Sequence, residues 1–139
     1  MNAIKYLFED INFPKSNLCP KYRFIDFIES KSKLTQSISF IFCSDNYLQK
    51  INAEFLNHKG LTDVITFNYT KKNNLVGDVF ISAERVRENA KIYNVKFKEE
   101  LARVMIHGVL HLIGYNDKKE KEIMLMRRLE NEFLKIVMI

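Results

Sequence analysis

The stretch from Glu99 to Asp117, EELARVMIHGVLHLIGYND, constrains this chain more than any other. His107 and His111 are four residues apart, so on a helix they share one face, one turn above the other. That spacing lets two imidazoles reach one metal ion. Leu101, Val104, Met105, Leu110, Leu112 and Ile113 supply enough apolar surface to bury the helix. Gly114 follows the last apolar pair, and a glycine just past a helix end takes the left-handed conformation that terminates it. The chain can then fold back, and such a reversal would bring Asp117 within reach of the histidines. The pattern H-x3-H-x5-D is the one constellation of metal-ligand type in the sequence. A buried histidine is usually a satisfied core residue. Two on one greasy face need more partners than a core offers, and a shared metal supplies them. Asp117 has two readings: a third ligand, or the cap of a final helix, with Glu120 three residues on completing a capping box. Gly108 stands where HExxH proteases carry their glutamate base, so that chemistry is disfavoured.

The rest of the chain alternates strands and helices. Ile4 to Phe8 reads as a strand, and Pro20 opens a helix in which Phe24, Ile25 and Ile28 recur at helical spacing to about Ser30. Ser37 to Cys43 alternates as a strand, with Ile38, Phe40 and Phe42 on one face. Ser44 or Asp45 caps the next helix, whose stripe is Tyr47, Leu48, Ile51 and Phe55. Val64 to Tyr69 and Val76 to Ser82 are strands joined through a polar KKNN connection. Ser82 caps a helix to about Tyr93. A final helix, Lys118 to Ile136, has the apolar stripe Ile123, Met126, Leu129, Phe133 and Ile136. The order β-α-β-α-β-β-α-α-α predicts an α+β fold with a small four-stranded mixed sheet covered by helices. A metal cleft is expected at the central histidine helix.

At 139 residues, without repeats or a Pro/Gly/Ser linker, the chain is expected to form a single domain spanning 1–139. Its 47% hydrophobic and 28% charged residues are those of a soluble globular protein. The net charge of +5 suits a phosphate-bearing partner without demanding one. Cys19 and Cys43 show no CxxC spacing and read as reduced thiols. The N-terminus lacks the pattern of a signal peptide, and no stretch has the length needed to cross a membrane, so the expected location is cytoplasmic.

HGVLHLIGYND resembles the signature of the YbeY family of rRNA-maturation endoribonucleases, usually H-G-x-L-H-L-x-G-Y-D-H. INAEFLNHKGLTDVITFNY is similar to the family's LNxxYRxKxxPTNVLSFP block, with Thr62, Val64 and Phe67 matching, and VGDVFIS is similar to its GDIxIS block. The resemblance implies a four-stranded sheet flanked by helices, with one zinc in a cleft. His107 and His111 would be ligands, and Asp117 would stand where the family has its third histidine. A carboxylate in that place suits zinc and also harder ions such as manganese or iron. Leu56 stands where the family has an arginine thought to engage the RNA backbone, and Asn68 where it has a proline. His58 and Lys59, close by, are candidates to take over that contact or are plain loop residues. Arg85 and Arg87 are two apart on a helix, so one of them is a candidate for the RNA groove. Asp78, inside an apolar strand, either orients a ligand histidine or faces solvent and backbone donors.

The function these readings imply is a metal-dependent endoribonuclease for single-stranded RNA, in small-subunit ribosomal RNA maturation and ribosome quality control. RNA and ribosomal or assembly proteins are its implied partners, and no membrane. A water on the metal, or the RNA's own 2′-hydroxyl, is the expected nucleophile, with no side chain assigned as general base. The alternative is a ribosome-associated assembly or binding factor whose metal is mainly structural.

Overall fold

The computed structural model describes residues 3–32, 34–56 and 61–138. Four strands, β1 (Ala3–Phe8), β2 (Thr35–Cys43), β3 (Val64–Asn68) and β4 (Asn74–Ser82), form one sheet in the order β1-β2-β4-β3. β1, β2 and β4 run parallel, and β3 returns antiparallel to β4. Five α-helices cover it: α1 (Lys21–Lys31), α2 (Asp45–Phe55), α3 (Ala83–Ile92), α4 (Phe97–Ile113) and α5 (Glu120–Val137). The predicted α+β fold with a mixed four-stranded sheet is the observed one.

Strand alternation divides the core. The register sets Phe40 beside Val79 and Phe42 beside Ile81, and these residues share a face with Ile38 and Leu75. All six are buried, and that face packs against α1, α4 and α5. The rings of Phe40 and Phe133 each lie about 5 Å from Phe24, at 5.0 and 4.9 Å, so one aromatic stack ties β2, α1 and α5 together. Each fully buried phenylalanine stabilises by about 1.5–3 kcal/mol. On the opposite face Cys43, Leu48 and Ile65 form a smaller cluster with Tyr47, Phe67 and Phe80, covered by α2.

Local signals set most element ends. Ser44 caps α2 by accepting from the Tyr47 N–H at 3.1 Å, and Ser82 caps α3 by accepting from the Arg85 N–H at 3.0 Å. β2 starts two residues earlier than its alternation suggests, because Thr35 and Gln36 pair with Asn74 and Leu75 of β4. Ile123, expected in the buried stripe of α5, is 48% exposed, whereas Met126, Leu129 and Phe133 are buried as expected. Among the described residues no helix is long and apolar enough to cross a membrane.

Candidate metal centre

α4 is buried on nearly every side, as its composition predicts. Two glycines let it approach the sheet at the level of the histidines. A Cβ on Gly108 would lie 2.6 Å from Val79 Cγ1, and one on Gly77 would lie 2.7 Å from Leu112 Cδ2. Gly108 is therefore a close-packing residue between the two histidines. α4 ends at Gly114, with φ +126°. The N–H of Gly114 donates to the carbonyl of Leu110 at 3.1 Å, and that of Tyr115 to the same carbonyl at 3.0 Å, reversing the chain. The reversal carries Asp117 back over the histidine face.

Three donor atoms converge there. His107 Nε2 and His111 Nε2 are 3.1 Å apart. Asp117 Oδ2 lies 3.1 Å from His111 Nε2 and 3.3 Å from His107 Nε2. Metal–ligand distances of about 2.0–2.1 Å in a tetrahedral site separate neighbouring ligands by about 3.3–3.4 Å. The triangle is thus within a few tenths of an ångström of that spacing, and two imidazoles with one carboxylate are an ordinary donor set for a divalent ion. Such a group of residues can hold a metal. The three side chains are 25%, 27% and 39% exposed, so the group opens to solvent. It lies at the wall of a cleft of about 840 Å³ bounded also by Leu56, Leu61, Asp63, Thr66 and Lys118.

Asp117 does not cap α5. That helix begins at Glu120, and its first turn is closed by Glu122, whose carboxylate accepts from the Lys119 N–H at 2.9 Å.

Behind His107 lies a charged network that sequence patterning did not disclose. His107 Nδ1 is 2.7 Å from Glu130 Oε2. Arg103 donates to Glu130 Oε1 at 3.0 Å, and Arg127 stands 3.6 Å from the same oxygen. Glu130 is 4% exposed, and its pKa is lowered: burial raises it, but His107 and Arg103 outweigh burial. Burial pushes the His107 ring down, yet the carboxylates of Glu130, Asp117 and Asp63 hold it above the ordinary histidine value. Asp63, between the cleft and this network, is raised by burial. Glu100, one turn before Arg103 and 3% exposed, is pushed up by burial to about 7 despite Arg103.

The other expected site residues lie elsewhere. Asp78 shares its sheet face with Phe67 and Phe80, opposite α4, and burial raises its carboxyl against a Tyr69 hydrogen bond. It does not orient a histidine; Glu130 makes that contact. Arg85 is bound to Asp45 at 3.0 Å, and the Arg87 guanidinium sits 4.3 Å from the centre of the Phe97 ring. Both line a separate recess with Asn12 and Glu88, not the cleft of the histidines. His58 and Lys59 lie outside the described residues.

The fold and the site together define a small α+β protein in which two histidines of the central helix and a carboxylate from the loop after it meet at an open cleft. The chain belongs to the family described as Endoribonuclease YbeY, which it matches over residues 19–138. Endoribonuclease YbeY of Christiangramia forsetii is 56% identical over 105 residues, 76% of this chain and 73% of the relative. Endoribonuclease YbeY of Parabacteroides distasonis is 43% identical over 136 residues, 97% of this chain and 96% of the relative. The solution structure of a Thermotoga maritima protein superimposes with a TM-score of 0.67 at 25% identity, covering 97% of this chain and 89% of that one.

Proposed function

We propose that this chain is a metal-dependent endoribonuclease for single-stranded RNA, acting as one domain in small-subunit ribosomal RNA maturation and ribosome quality control in the cytoplasm. The observation that carries the reading is the convergence of three donor atoms within 3.1–3.3 Å at the wall of an open cleft, in a chain of this family. His107 and His111 through Nε2, and Asp117 through Oδ2, would hold one divalent ion: zinc, or the manganese or iron that a carboxylate also suits. Bound there, such an ion lowers the pKa of a water and polarises a phosphoryl oxygen. The chain's own groups do the rest. Glu130 braces His107 from behind, and the pairing of Glu130 with Arg103 keeps that brace charged without leaving it alone in the core. Lys118, on the cleft wall beside Asp117, offers a cation to the RNA backbone, so affinity is expected to fall with salt. The buried, unpaired Cys19 and Cys43 suit a reducing compartment.

The solvent exposure of the three donors at the cleft supports catalysis over the assembly-factor reading. Structural sites are closed by four protein ligands, whereas catalytic ones keep a position open. Among the described residues the candidate group has three members. The test is cleavage of a single-stranded fragment of small-subunit ribosomal RNA. Wild-type protein is expected to cut it, to stop in EDTA, and to resume when the metal is returned. Equal cutting by wild type and His107→Ala would overturn the proposal. Uncut RNA with one tightly held metal per chain would favour the assembly factor.

A further inference from the structure

We propose that Glu130 is the positioning residue of the centre: it sets the tautomer of His107 and so decides which ring nitrogen faces the metal. This rests on the metal reading above. An ionised carboxylate only accepts hydrogen bonds. Glu130 Oε2 at 2.7 Å is the nearer carboxylate, against 3.3 Å from Nε2 to Asp117 Oδ2, and so draws the proton of the neutral ring to Nδ1. The lone pair is then on Nε2, the nitrogen 3.1 Å from His111 Nε2 and 3.3 Å from Asp117 Oδ2. Nothing about the pair is loose. Glu130 is 4% exposed, and its second oxygen takes Arg103 Nη1 at 3.0 Å. Arg103 is itself held by Asn131 Oδ1 at 3.0 Å and stands 4.0 Å from Glu100. Met126, Leu129 and Phe133 bury the same side of α5, so the brace comes from a fixed element. His107 is thus bridged between two helices, and the metal face is pre-set before any ion arrives.

Glu130→Gln separates positioning from packing, because it keeps the volume and changes the donors. Glutamine has one carbonyl oxygen and one amide NH2. Arg103 cannot accept, so the carbonyl must turn to Arg103 and the NH2 to His107. Nδ1 then becomes an acceptor, the ring proton moves to Nε2, and the lone pair facing the cleft is lost.

Two readouts test this. Zinc affinity, by competition with a chromophoric chelator, is expected to fall roughly 10–100-fold in Glu130→Gln. Ring 15N–1H spectra of His107 in metal-free protein at alkaline pH are expected to show the Nδ1–H tautomer in wild type and Nε2–H in the variant. If Glu130→Gln does not fold by circular dichroism, the double variant Arg103→Met with Glu130→Leu removes the pair together, a replacement that buried pairs often tolerate. It is expected to fold, to lose the Nδ1–H preference, and to bind zinc more weakly. Wild-type zinc affinity in a folded variant, or Nε2–H in wild type, overturns the proposal. A wild type that takes up no zinc overturns the metal reading, while the spectra still decide whether Glu130 sets the tautomer.

Discussion

Asp117 stands in the connection between α4 and α5, and its side chain has two possible employments: a backbone cap or a metal ligand. The geometry removes the first, because Glu122 closes the first turn of α5, and it sets Asp117 Oδ2 3.1 Å from His111 Nε2. A loop aspartate with no capping role leaves stability within about 0.5 kcal/mol when replaced. Asp117→Ala is therefore expected to unfold like wild type in EDTA yet to lose metal affinity. The loss should be at least the roughly 10–100-fold that removal of a group supporting a ligand costs. Chelator titration beside thermal unfolding checks both halves; a destabilised variant with unchanged affinity would return Asp117 to the capping role. At this scale the histidine pair was legible, since i and i+4 on an apolar helix leave little else to do. Glu130 was not, because it reaches His107 from 23 residues away. Its trace was a carboxylate on the buried stripe of α5, between Leu129 and Phe133, where an unpartnered charge would be costly. Asp78 stayed open between two roles because alternation tells which residues share a strand face but not which face the histidine helix will cover.

The element that aims the site is α4, and what aims α4 is its closeness to β4. Gly108 and Gly77 have no Cβ where one would meet Val79 and Leu112. Gly108→Ala is expected to push the helix from the sheet, at a cost of about 1–3 kcal/mol for overpacking. Because Gly108 lies between the histidines, the displacement should also lower metal affinity. Denaturant unfolding in EDTA and a zinc titration check the two effects. The double variant Gly108→Ala with Val79→Ala, which removes the clashing methyls, is expected to recover part of both. Full stability in Gly108→Ala alone would mean the close approach is not needed. The elements themselves were largely readable, because caps and apolar spacing are local: Ser44 and Ser82 start α2 and α3, and Gly114 ends α4. Their bounds moved where pairing across the sheet took over, as at Thr35 and Gln36. The 48% exposure of Ile123 is likewise non-local, since periodicity gives the face of a helix but not which of its positions another element covers.

Across the whole molecule, the burial of charge beside the cleft gives stability a pH dependence of its own. Glu100 is pushed up by burial from the ordinary glutamate value of 4.5 to about 7. Arg103 and Arg127 oppose the rise, and the carboxylates of Asp63 and Glu130 add to it. The folded chain thus binds this proton more tightly than the unfolded chain does. Stability from Glu100 is fully present below about pH 4.5 and is lost as pH rises towards 7, because there the unfolded state ionises freely and the folded state does not. Glu100→Gln keeps the shape and removes the ionisation. The difference in unfolding free energy, wild type minus variant, is expected to fall between pH 4.5 and 7 by on the order of 1–3 kcal/mol and then to level off. Urea titrations in EDTA at several pH values measure it without any contribution from metal. A difference that is flat across that window would mean the Glu100 carboxyl keeps its solvent-like proton affinity inside α4. A difference that rises with pH would mean Arg103 holds it ionised, making Glu100 a second brace on the arginine that steadies Glu130.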